Sequence, residues 1–410
     1  MSSVAYGSGF QRMIAGIDWA EGSHTVCVLD AGGDLLQRLT IPHSKAGISR
    51  LVALVTRYQV DAVGIERPDG PVVETLLAAG VTVFVIAPSQ VKALRSRYGS
   101  AGNKDDRFDA FVLADTVRTD ARRLTPLQRD SQATVALRQL CRARKDLVGH
   151  RIAIGNQLRA HLQIVLPGVI GLFWQLDTGV SRQFLTAFPT QDAVNALTVS
   201  DLAAWLTQNR YSGRKTADAL YQHLTSAPAG PTGLAGQALA GITIAYLNAL
   251  TVVAEQISSL EKQISDTLTA HPDGPVFTSL PRSGTVRAAR LLAEIGDSRG
   301  RFPTAASLTG LAGVTPSTRQ SGSTRIVTFR WAVDRQLRDA VCDFAADSRH
   351  ANPWAAHLYQ QARNRGHRHP HAVRILARAW LTIIWKCWTT NTPYDPSRHR
   401  QLQKLTGTRG

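Results

Sequence analysis

The N-terminal part of the chain places three short β-rich runs before any helix, and this order limits the folds open to it. The runs are Met13 to Asp18, His24 to Leu29 and Leu35 to Ile41, and turn signals separate them. Helical patterns then alternate with two further strands, Ala62 to Ile65 and Val81 to Ile86. This order predicts a mixed sheet flanked by helices, in which the strand after the first helix lies beside the first strand.

Longer-range periodicity organises the rest of the chain. Residues 133–165 read as a long basic helix, and apolar residues from Tyr246 to Ile264 repeat at spacings of four and three, as in a coiled-coil seam. Two long helices around an insertion predict an antiparallel hairpin or a dimerisation arm, and simple core packing is the alternative explanation of the seam. We therefore expect an α/β domain at 12–125, a helical coiled-coil region with an insertion at 133–270, an α-rich C-terminal domain at 275–390 and a basic tail at 391–410.

The formal net charge of +17 calls for a polyanionic partner, of which nucleic acid is the usual one. A GC-rich genome explains why the basic residues are mostly Arg rather than Lys. It does not explain why basic residues outnumber Asp and Glu. The four cysteines form no C-x-x-C pair, which argues against a zinc knuckle or a disulfide framework and suits a reducing cytoplasm. No apolar run of membrane-spanning length and no signal peptide is recognised, so no membrane partner is expected.

Two acidic residues directly follow buried strand patterns. Asp18 ends the first strand and Glu66 ends the strand that is expected beside it. A carboxylate in such a place is costly unless it is paired or binds a cation. The predicted topology brings both to one edge of the sheet, where α/β proteins bind their ligands.

A third acidic element is the segment Lys104–Ala110. On a helix, Asp106 and Asp109 are three residues apart and share a face, so a hard cation such as Mg²⁺ would relieve their repulsion. Two ions held by Asp18, Glu66 and this pair could clamp both oxygens of an in-line phosphoryl transfer. The alternative is an ordinary helix N-terminus, which favours acids, and for Asp105 we prefer it. Lys or Arg between the acids would argue against the metal.

The segment Gly310–Ser323 is small, polar and rich in glycine, which predicts a surface loop. A serine in such a loop is ordinarily a turn residue, and no His or Asp triad is recognisable nearby. A hydroxyl without a base needs a metal ion or cationic neighbours to become a nucleophile. Arg319 and Arg325 could supply the positive charge.

These motifs resemble the IS110 family of transposases, also called bridge recombinases. The helix motif K-T-D-x-x-D-A of the family corresponds to Lys104–Ala110, with Asp105 where the family has Thr. The resemblance implies a RuvC-like N-terminal domain of the RNase H fold. It also implies a metal site of four acids: Asp18, Glu66, Asp106 and Asp109.

The resemblance extends to the C-terminal region. In the family, a Gly-Leu-x-Pro stretch precedes a Ser-Gly pair, and this register makes Ser321 the catalytic serine rather than Ser317 or Ser323. Leu280–Gly284 is similar to a Pro-Gly-x-Gly hairpin of the family, with Arg282 in place of the first Gly; Gly and free amides at a helix start suit phosphate. Candidate nucleic-acid contacts are Arg282, Gly284, Arg319, Arg325, Arg138 and Arg142.

The activity that the resemblance implies is excision and insertion of a mobile element by DNA strand exchange. The serine would form a covalent phosphoserine link, and two Mg²⁺ ions would assist, with Mn²⁺ as a substitute. Expected partners are target and donor DNA, a structured guide RNA encoded by the element, and further copies of the chain. The acids and the serine of different subunits of a dimer or tetramer would form a composite site, in the nucleoid of a prokaryotic cytoplasm.

Three other functions remain open at this point. A RuvC-like junction-resolving nuclease would use water and need no serine, whereas a non-catalytic nucleic-acid-binding protein would leave DNA intact. An actin-like ATPase also opens with Gly16-Ile17-Asp18, but the sequence has no second Gly-rich phosphate loop. The His- and Arg-rich segment Arg363–Arg374 favours phosphate contact or a solvated turn over metal binding, because no paired Cys supports a metal.

Overall fold

The structure is a computed structural model that describes residues 13–98, 105–321, 324–331 and 333–407. The chain divides into two compact units, which are described separately. The first extends to Ser131 and includes Ser298–Pro303, and the second consists of Gln132–Asp297 and Thr304–Gly410. The regions predicted at 133–270 and 275–390 thus lie in the same compact unit.

The first unit is built on a five-stranded sheet with the order β3-β2-β1-β4-β5. The strands are β1 (Met13–Trp19), β2 (Ser23–Leu29), β3 (Leu35–Pro42), β4 (Val60–Ile65) and β5 (Thr82–Val85). The first three strands pair antiparallel, while β4 lies parallel to β1 and β5 parallel to β4. The mixed sheet, with the fourth strand beside the first, is therefore as predicted.

Helices cover both faces of this sheet. They are α1 (Lys45–Arg57), α2 (Pro71–Ala78), α3 (Pro88–Arg95) and α4 (Asp106–Asp120). Ser44 caps α1 by accepting a hydrogen bond from the Gly47 amide at 3.1 Å, as its position before an apolar helix pattern predicts. Ile17 packs in one core with α1 and α2, whereas Ile14 packs with residues of α4 in another. Alternate residues of a strand thus serve different helices.

Two long helices run antiparallel through the second unit. They are α5 (Gln132–Val165) and α10 (Gly233–Ala270). The Thr134 hydroxyl lies 2.8 Å from His271 just after α10, and at the other end His161 lies 3.0 Å from the Thr243 hydroxyl. The insertion between them forms α6 (Gly179–Ala187), α7 (Gln191–Asn195), α8 (Val199–Gln208) and α9 (Ala217–Ser226). This is the antiparallel hairpin arrangement; a dimerising coiled coil stays a prediction.

Among the described residues, α10 alone is long and apolar enough to cross a membrane by length and composition. It meets this test through the average hydropathy of its residues, whereas polar residues interrupt its apolar runs. The helix packs along α5, where Arg144 forms an ion pair with Glu261 at 2.6 Å.

The remainder of the second unit is mainly helical. It contains α11 (Gly274–Thr278), α12 (Gly284–Ile295), α13 (Ala305–Leu311), the strands β6 (Ser317–Ser321) and β7 (Thr324–Thr328), and then α14 (Arg335–Ser348), α15 (Pro353–Asn364), α16 (His369–Thr389) and α17 (Arg400–Thr406). Trp380 and Trp388 of α16 are fully buried in its core.

The predicted basic tail at 391–410 differs from the structure. Tyr394 is buried, and Leu402 of α17 is buried as well. The Trp354 indole donates a hydrogen bond to the Gln401 side chain at 2.8 Å. Two apolar residues in a polar segment are too few to produce a recognisable helical pattern in the sequence. They are nevertheless enough to hold a helix of one or two turns against the rest of the unit.

Candidate active site

The sheet places Asp18 and Glu66 at the same end of two neighbouring strands. Ile17 pairs with Ile65 in the parallel register of β1 and β4, and the two acids are the next residues along. Adjacent strands are about 4.8 Å apart. Because Gly16 faces α4, the alternation of a strand turns Asp18, two residues further along β1, toward that helix as well, and Glu66 is the first residue beyond β4.

Two glycines let α4 approach this face of the sheet closely. A Cβ atom on Gly16 would lie 2.0 Å from the Ala110 carbonyl oxygen, and one on Gly64 would lie 2.7 Å from the Leu113 carbonyl oxygen. Any side chain at either position would push the helix away. Gly16 contacts an earlier turn of α4 than Ile14, which packs with Leu113 and Val117. The N-terminal turn of α4 is therefore directed toward the strand ends with the acids.

The three acids at the start of α4 have different surroundings. Asp105 is the N-cap, and its side chain accepts a hydrogen bond from the Arg107 amide at 3.0 Å, which is the capping role preferred for it. Asp106 is exposed at the first position of the helix. Asp109 is only 2% exposed and lies beside Ala110 against the sheet. Lys104 lies outside the described residues.

Arg95, the last residue of α3, engages the carboxylate of Asp109. Its Nε and Nη2 atoms donate to the two carboxylate oxygens of Asp109. The Arg95 side chain is 25% exposed, so the pair is partly buried. This is the outcome that argues against a metal: Asp109 does not offer its oxygens to a cation in this arrangement. Within the described ranges, which omit 99–104, no group of three His, Cys, Asp or Glu side chains could hold an ion.

The predicted ligands therefore fit a divalent cation only in part. Asp18 and Glu66 have the chemistry and the adjacent placement that a hard cation requires. Asp109 could join them only after Arg95 releases it. The sequence contained no sign of this contact, because a basic residue in the last turn of a helix is ordinary and does not name its partner.

Aromatic and basic residues occupy the opposite face at the same end of the sheet. The Arg67 guanidinium lies 4.3 Å from the ring centroid of Trp19 and forms an ion pair with Asp69 at 3.0 Å. His24 Nε2 lies 2.8 Å from His43 Nδ1. Burial, and then the charge of His43, lower the pKa of His24 below its usual value.

The serine segment forms a hairpin rather than the predicted loop. Strands β6 and β7 pair from Ser317 with Thr328 to Ser321 with Thr324. Ser321 is exposed at the end of β6, and no described side chain hydrogen bonds to its hydroxyl. Arg319 pairs with Ile326 and Arg325 with Gln320 in the backbone register. Thr, Gln and Ile alternate with other residues in the two strands on either side of two central residues, and this pattern favours a hairpin. The many small residues of the segment obscure that pattern and make it look like a loop. Those central residues, Gly322 and Ser323, lie outside the described residues.

The turn before α12 has an unusual backbone at Arg282. Its φ is +56°, in the left-handed region that glycine adopts without strain, and Gly284 has φ +54°. Arg282 thus takes a glycine-like conformation at the position where the resembling hairpin has Gly. The Arg282 Nε atom donates to Asp347 at 3.0 Å. This hydrogen bond is the main cause that lowers the pKa of Asp347.

The two arginines proposed on α5 make contacts within the protein. Arg142 donates to both oxygens of Glu294 at 3.0 and 2.8 Å, and Arg138 Nε donates to the Ala293 carbonyl at 2.6 Å. These bonds hold α12 against α5. Nucleic-acid contact by Arg138 or Arg142 stays a prediction to which these contacts lend no support.

Comparisons with known proteins match both parts of the chain. A family profile described as a transposase matches residues 15–167, and one described as transposases of the IS116/IS110/IS902 family matches residues 274–360. A Streptomyces coelicolor protein, named as a mini-circle transposase for IS117, is 32% identical over 400 residues, which cover 94% of this chain and 96% of the relative. An insertion-element IS900 protein of Mycobacterium paratuberculosis is 27% identical over 402 residues, with 94% and 98% coverage.

Proposed function

Because the chain belongs to the IS110 family of insertion-sequence transposases, we propose that it cuts and rejoins DNA with Ser321 as its nucleophile and a divalent cation at Asp18 and Glu66. The resemblance drawn from the sequence motifs is thus confirmed, and transposases of this kind act on DNA. The observation that carries the proposal is the adjacency of Asp18 and Glu66 at the same end of the neighbouring strands β1 and β4. The first unit would then be the RuvC-like domain of the RNase H fold.

In the proposed reaction, the Ser321 oxygen attacks a DNA phosphodiester. An Oγ–P bond forms, one P–O bond to deoxyribose breaks, and the departing sugar oxygen takes up a proton while the serine hydroxyl loses one. Attack by a sugar hydroxyl of another strand reverses these bonds and frees the serine. The energy of the phosphodiester is kept in the phosphoserine link, so no nucleotide is consumed.

The cation would be Mg²⁺ or Mn²⁺, and the complete set of four acids that the family resemblance implies would hold two such ions. Bound there, the cation would supply positive charge to the oxygens of the transferring phosphoryl group. Asp18 and Glu66 would hold it, with Asp106 and Asp109 as further ligands. Asp106 is exposed and Asp109 must first leave Arg95. In this proposal the acids bind and orient, and the serine makes the covalent bond.

We also propose a guide RNA and a homo-oligomer as partners. The net charge of +17 makes the chain repel itself and attracts polyanions, which supports a large nucleic-acid partner. Separate units for the acids and the serine suit a composite site between copies of the chain, in the prokaryotic cytoplasm where the element resides.

The test is to trap a covalent adduct. The protein is incubated with cellular RNA from a host of the element, with duplexes that carry its ends, and with MgCl₂, and is then run on a denaturing gel. We expect a protein–DNA adduct whose modified peptide contains Ser321. Ser321→Ala should abolish the adduct with DNA binding kept, whereas Ser317→Ala, at the other end of β6, should retain it.

The acids are tested in the same assay. Asp18→Asn and Glu66→Gln should each abolish the adduct, while Asp61→Asn, an exposed residue of β4, should leave it unchanged. Cleavage by Ser321→Ala without an adduct would replace the proposal with a water-using junction nuclease. Binding with steep salt dependence and intact DNA would indicate a non-catalytic protein, and specific nucleotide binding an actin-like ATPase.

A further inference from the structure

Two arginines stack on one aromatic ring just beyond strand β7, and a third arginine directly follows that ring in the chain. The ring is that of Phe329, which directly follows the strand. The Arg338 guanidinium carbon lies 4.5 Å from its centroid, and that of Arg374 lies 4.8 Å away. Arg338 comes from the first turn of α14 and Arg374 from the second turn of α16. Arg330, the next residue after Phe329, contributes its carbonyl, which accepts a hydrogen bond from Arg338 Nη2 at 2.8 Å.

No carboxylate of the described residues forms an ion pair with these guanidinium groups. Arg338 donates only to carbonyls, those of Arg330 and, at 3.4 Å, Ala312. Arg330 Nε is buried without a hydrogen-bond partner in the described part of the chain. The acids on α14 are used elsewhere: Asp334 caps the helix through the Gln336 and Leu337 amides, and Asp339 forms an ion pair with Lys145.

Such a cluster repels itself in the free protein. Burial lowers the pKa of Arg338, and the charge of Arg374 lowers it further, while Asp339 acts in the opposite direction. His371, one turn before Arg374, also has a lowered pKa, because of burial and then the charges of His367 and Arg374. Like charges collected without acids are favourable only where an anion completes them.

An exposed tryptophan lies next to the cluster. Trp331 is 78% exposed, and its ring packs edge-on against Phe329 at 4.9 Å between centroids. Aromatic faces beside arginines are where single strands stack their bases. The combination indicates a polymer with both phosphates and bases, rather than a small anion.

We propose that Arg330, Arg338 and Arg374 form a binding site for the phosphodiester backbone of DNA, with Trp331 as a stacking surface beside it. The identification of the ligand as DNA rests on the proposed function. From Thr324, opposite Ser321, to Phe329 the chain advances five residues, or about 17 Å at the rise of a strand. The site therefore holds a phosphate several nucleotides from the one that Ser321 attacks, and it positions the strand rather than reacting.

The test uses the full chain with Ser321→Ala, so that binding is measured without chemistry. A fluorescent duplex that carries an end of the element and a single-stranded overhang is titrated from about 50 to about 200 mM NaCl, a range over which phosphate contacts change affinity by orders of magnitude. For Arg330→Gln with Arg374→Gln, the slope of log K against log salt should become shallower by about 1 to 2, since each lost phosphate contact contributes about 0.9. Affinity at low salt should fall about tenfold.

Arg378→Gln is the matched control. It removes one positive charge, as each of the two substitutions in the double variant does, from an exposed position one turn further along α16, and affinity should stay within about twofold of the parent. A second measurement separates binding from structure: pyrophosphate should raise the melting temperature of the parent more than that of the double variant. In low salt without pyrophosphate, the double variant should melt no lower than Arg378→Gln. The reason is that removing two positive charges from the cluster relieves the repulsion between its arginines.

Three results would overturn the site. The first is a slope of log K against log salt that the double variant leaves unchanged. The second is a double variant that melts well below the control yet is stabilised by pyrophosphate as much as the parent. The third is a double variant that loses affinity for RNA of equal length but not for DNA. The adduct assay is independent of this test. A normal adduct with an unchanged slope rejects the site alone, whereas a reduced slope without any Ser321 adduct rejects the proposed reaction and leaves the site standing.

Discussion

The acidic strand ends and the serine hairpin are held in place in opposite ways. Asp18 and Glu66 continue strands whose neighbouring residues are fully buried, and α4 presses on those strands at Gly16 and Gly64. The hairpin that carries Ser321 pairs mainly with itself, and Ile326 and Val327 on its second strand are more than half exposed. A cation site needs ligands fixed by a core, because charge is costly there without precise placement. An exposed nucleophile depends instead on its substrate for its final position.

Loss of Arg95 should have the largest effect on the first region. Arg95→Ala leaves the buried Asp109 carboxylate unpaired, and we expect a loss of about 3 kcal/mol in the free energy of unfolding in urea. If Asp109 is also a metal ligand, MgCl₂ should restore more stability to this variant than to the parent. Arg97→Ala, which breaks an exposed pair at 3.7 Å with Asp120, is the control and should cost under about 1 kcal/mol. Equal Mg²⁺ effects in all three proteins would remove Asp109 from the metal site.

The close approach of α4 gives the second test. A methyl group at Gly16 would meet the backbone of Ala110 and Ala114, so Gly16→Ala should cost about 2 kcal/mol and displace the acids. Gly22→Ala, in the turn between β1 and β2, meets no atom within 4 Å and serves as the control. Both are measured by urea unfolding and by adduct formation. Wild-type adduct formation by Gly16→Ala would mean that the acids do not depend on this packing.

A smaller effect is expected from pH. His24 is buried, and its pKa is lowered by that burial and then by the charge of His43, so the unfolded chain binds its proton more readily. Its contribution to stability is complete above the ordinary pKa of a histidine, about 6.5, and is lost as the pH falls below that value. His24→Asn should flatten the stability of the chain between about pH 7.5 and pH 5. An unchanged pH profile in this variant would show that another group is responsible.

The smallest effect on folding should come from the hairpin. Ile326 is 52% exposed, so Ile326→Ser should change the free energy of unfolding by no more than about 0.5 kcal/mol. If the hairpin is placed by its substrate, the same variant should still reduce adduct formation severalfold. A melting temperature several degrees below that of the parent would show that the hairpin is part of the core after all, and the contrast between the two regions would disappear.

Local patterns in the sequence were sufficient for much of the fold and for the placement of Asp18 and Glu66 at neighbouring strand ends. The β-rich runs predict β1 to β3, and the Ser44 cap predicts the start of α1. Local patterns failed for short elements whose formation depends on residues far away in the chain. The β6–β7 hairpin was expected to be a loop, and the docked helix α17 was expected to be part of a tail. Short elements with few apolar residues are decided by what they pack against.

By itself, the sequence determined the mixed sheet, the two strand-end acids beside each other, the antiparallel pair of long helices and the transposase family. These depend on periodicity and on motifs, which are properties of neighbouring residues. Only the tertiary structure decided that Arg95 holds Asp109, and that Arg338 and Arg374, which form no ion pair with an acid of the described residues, stack on Phe329. Electrostatic contacts join residues far apart in the chain, and their strength depends on burial, so no local pattern records them.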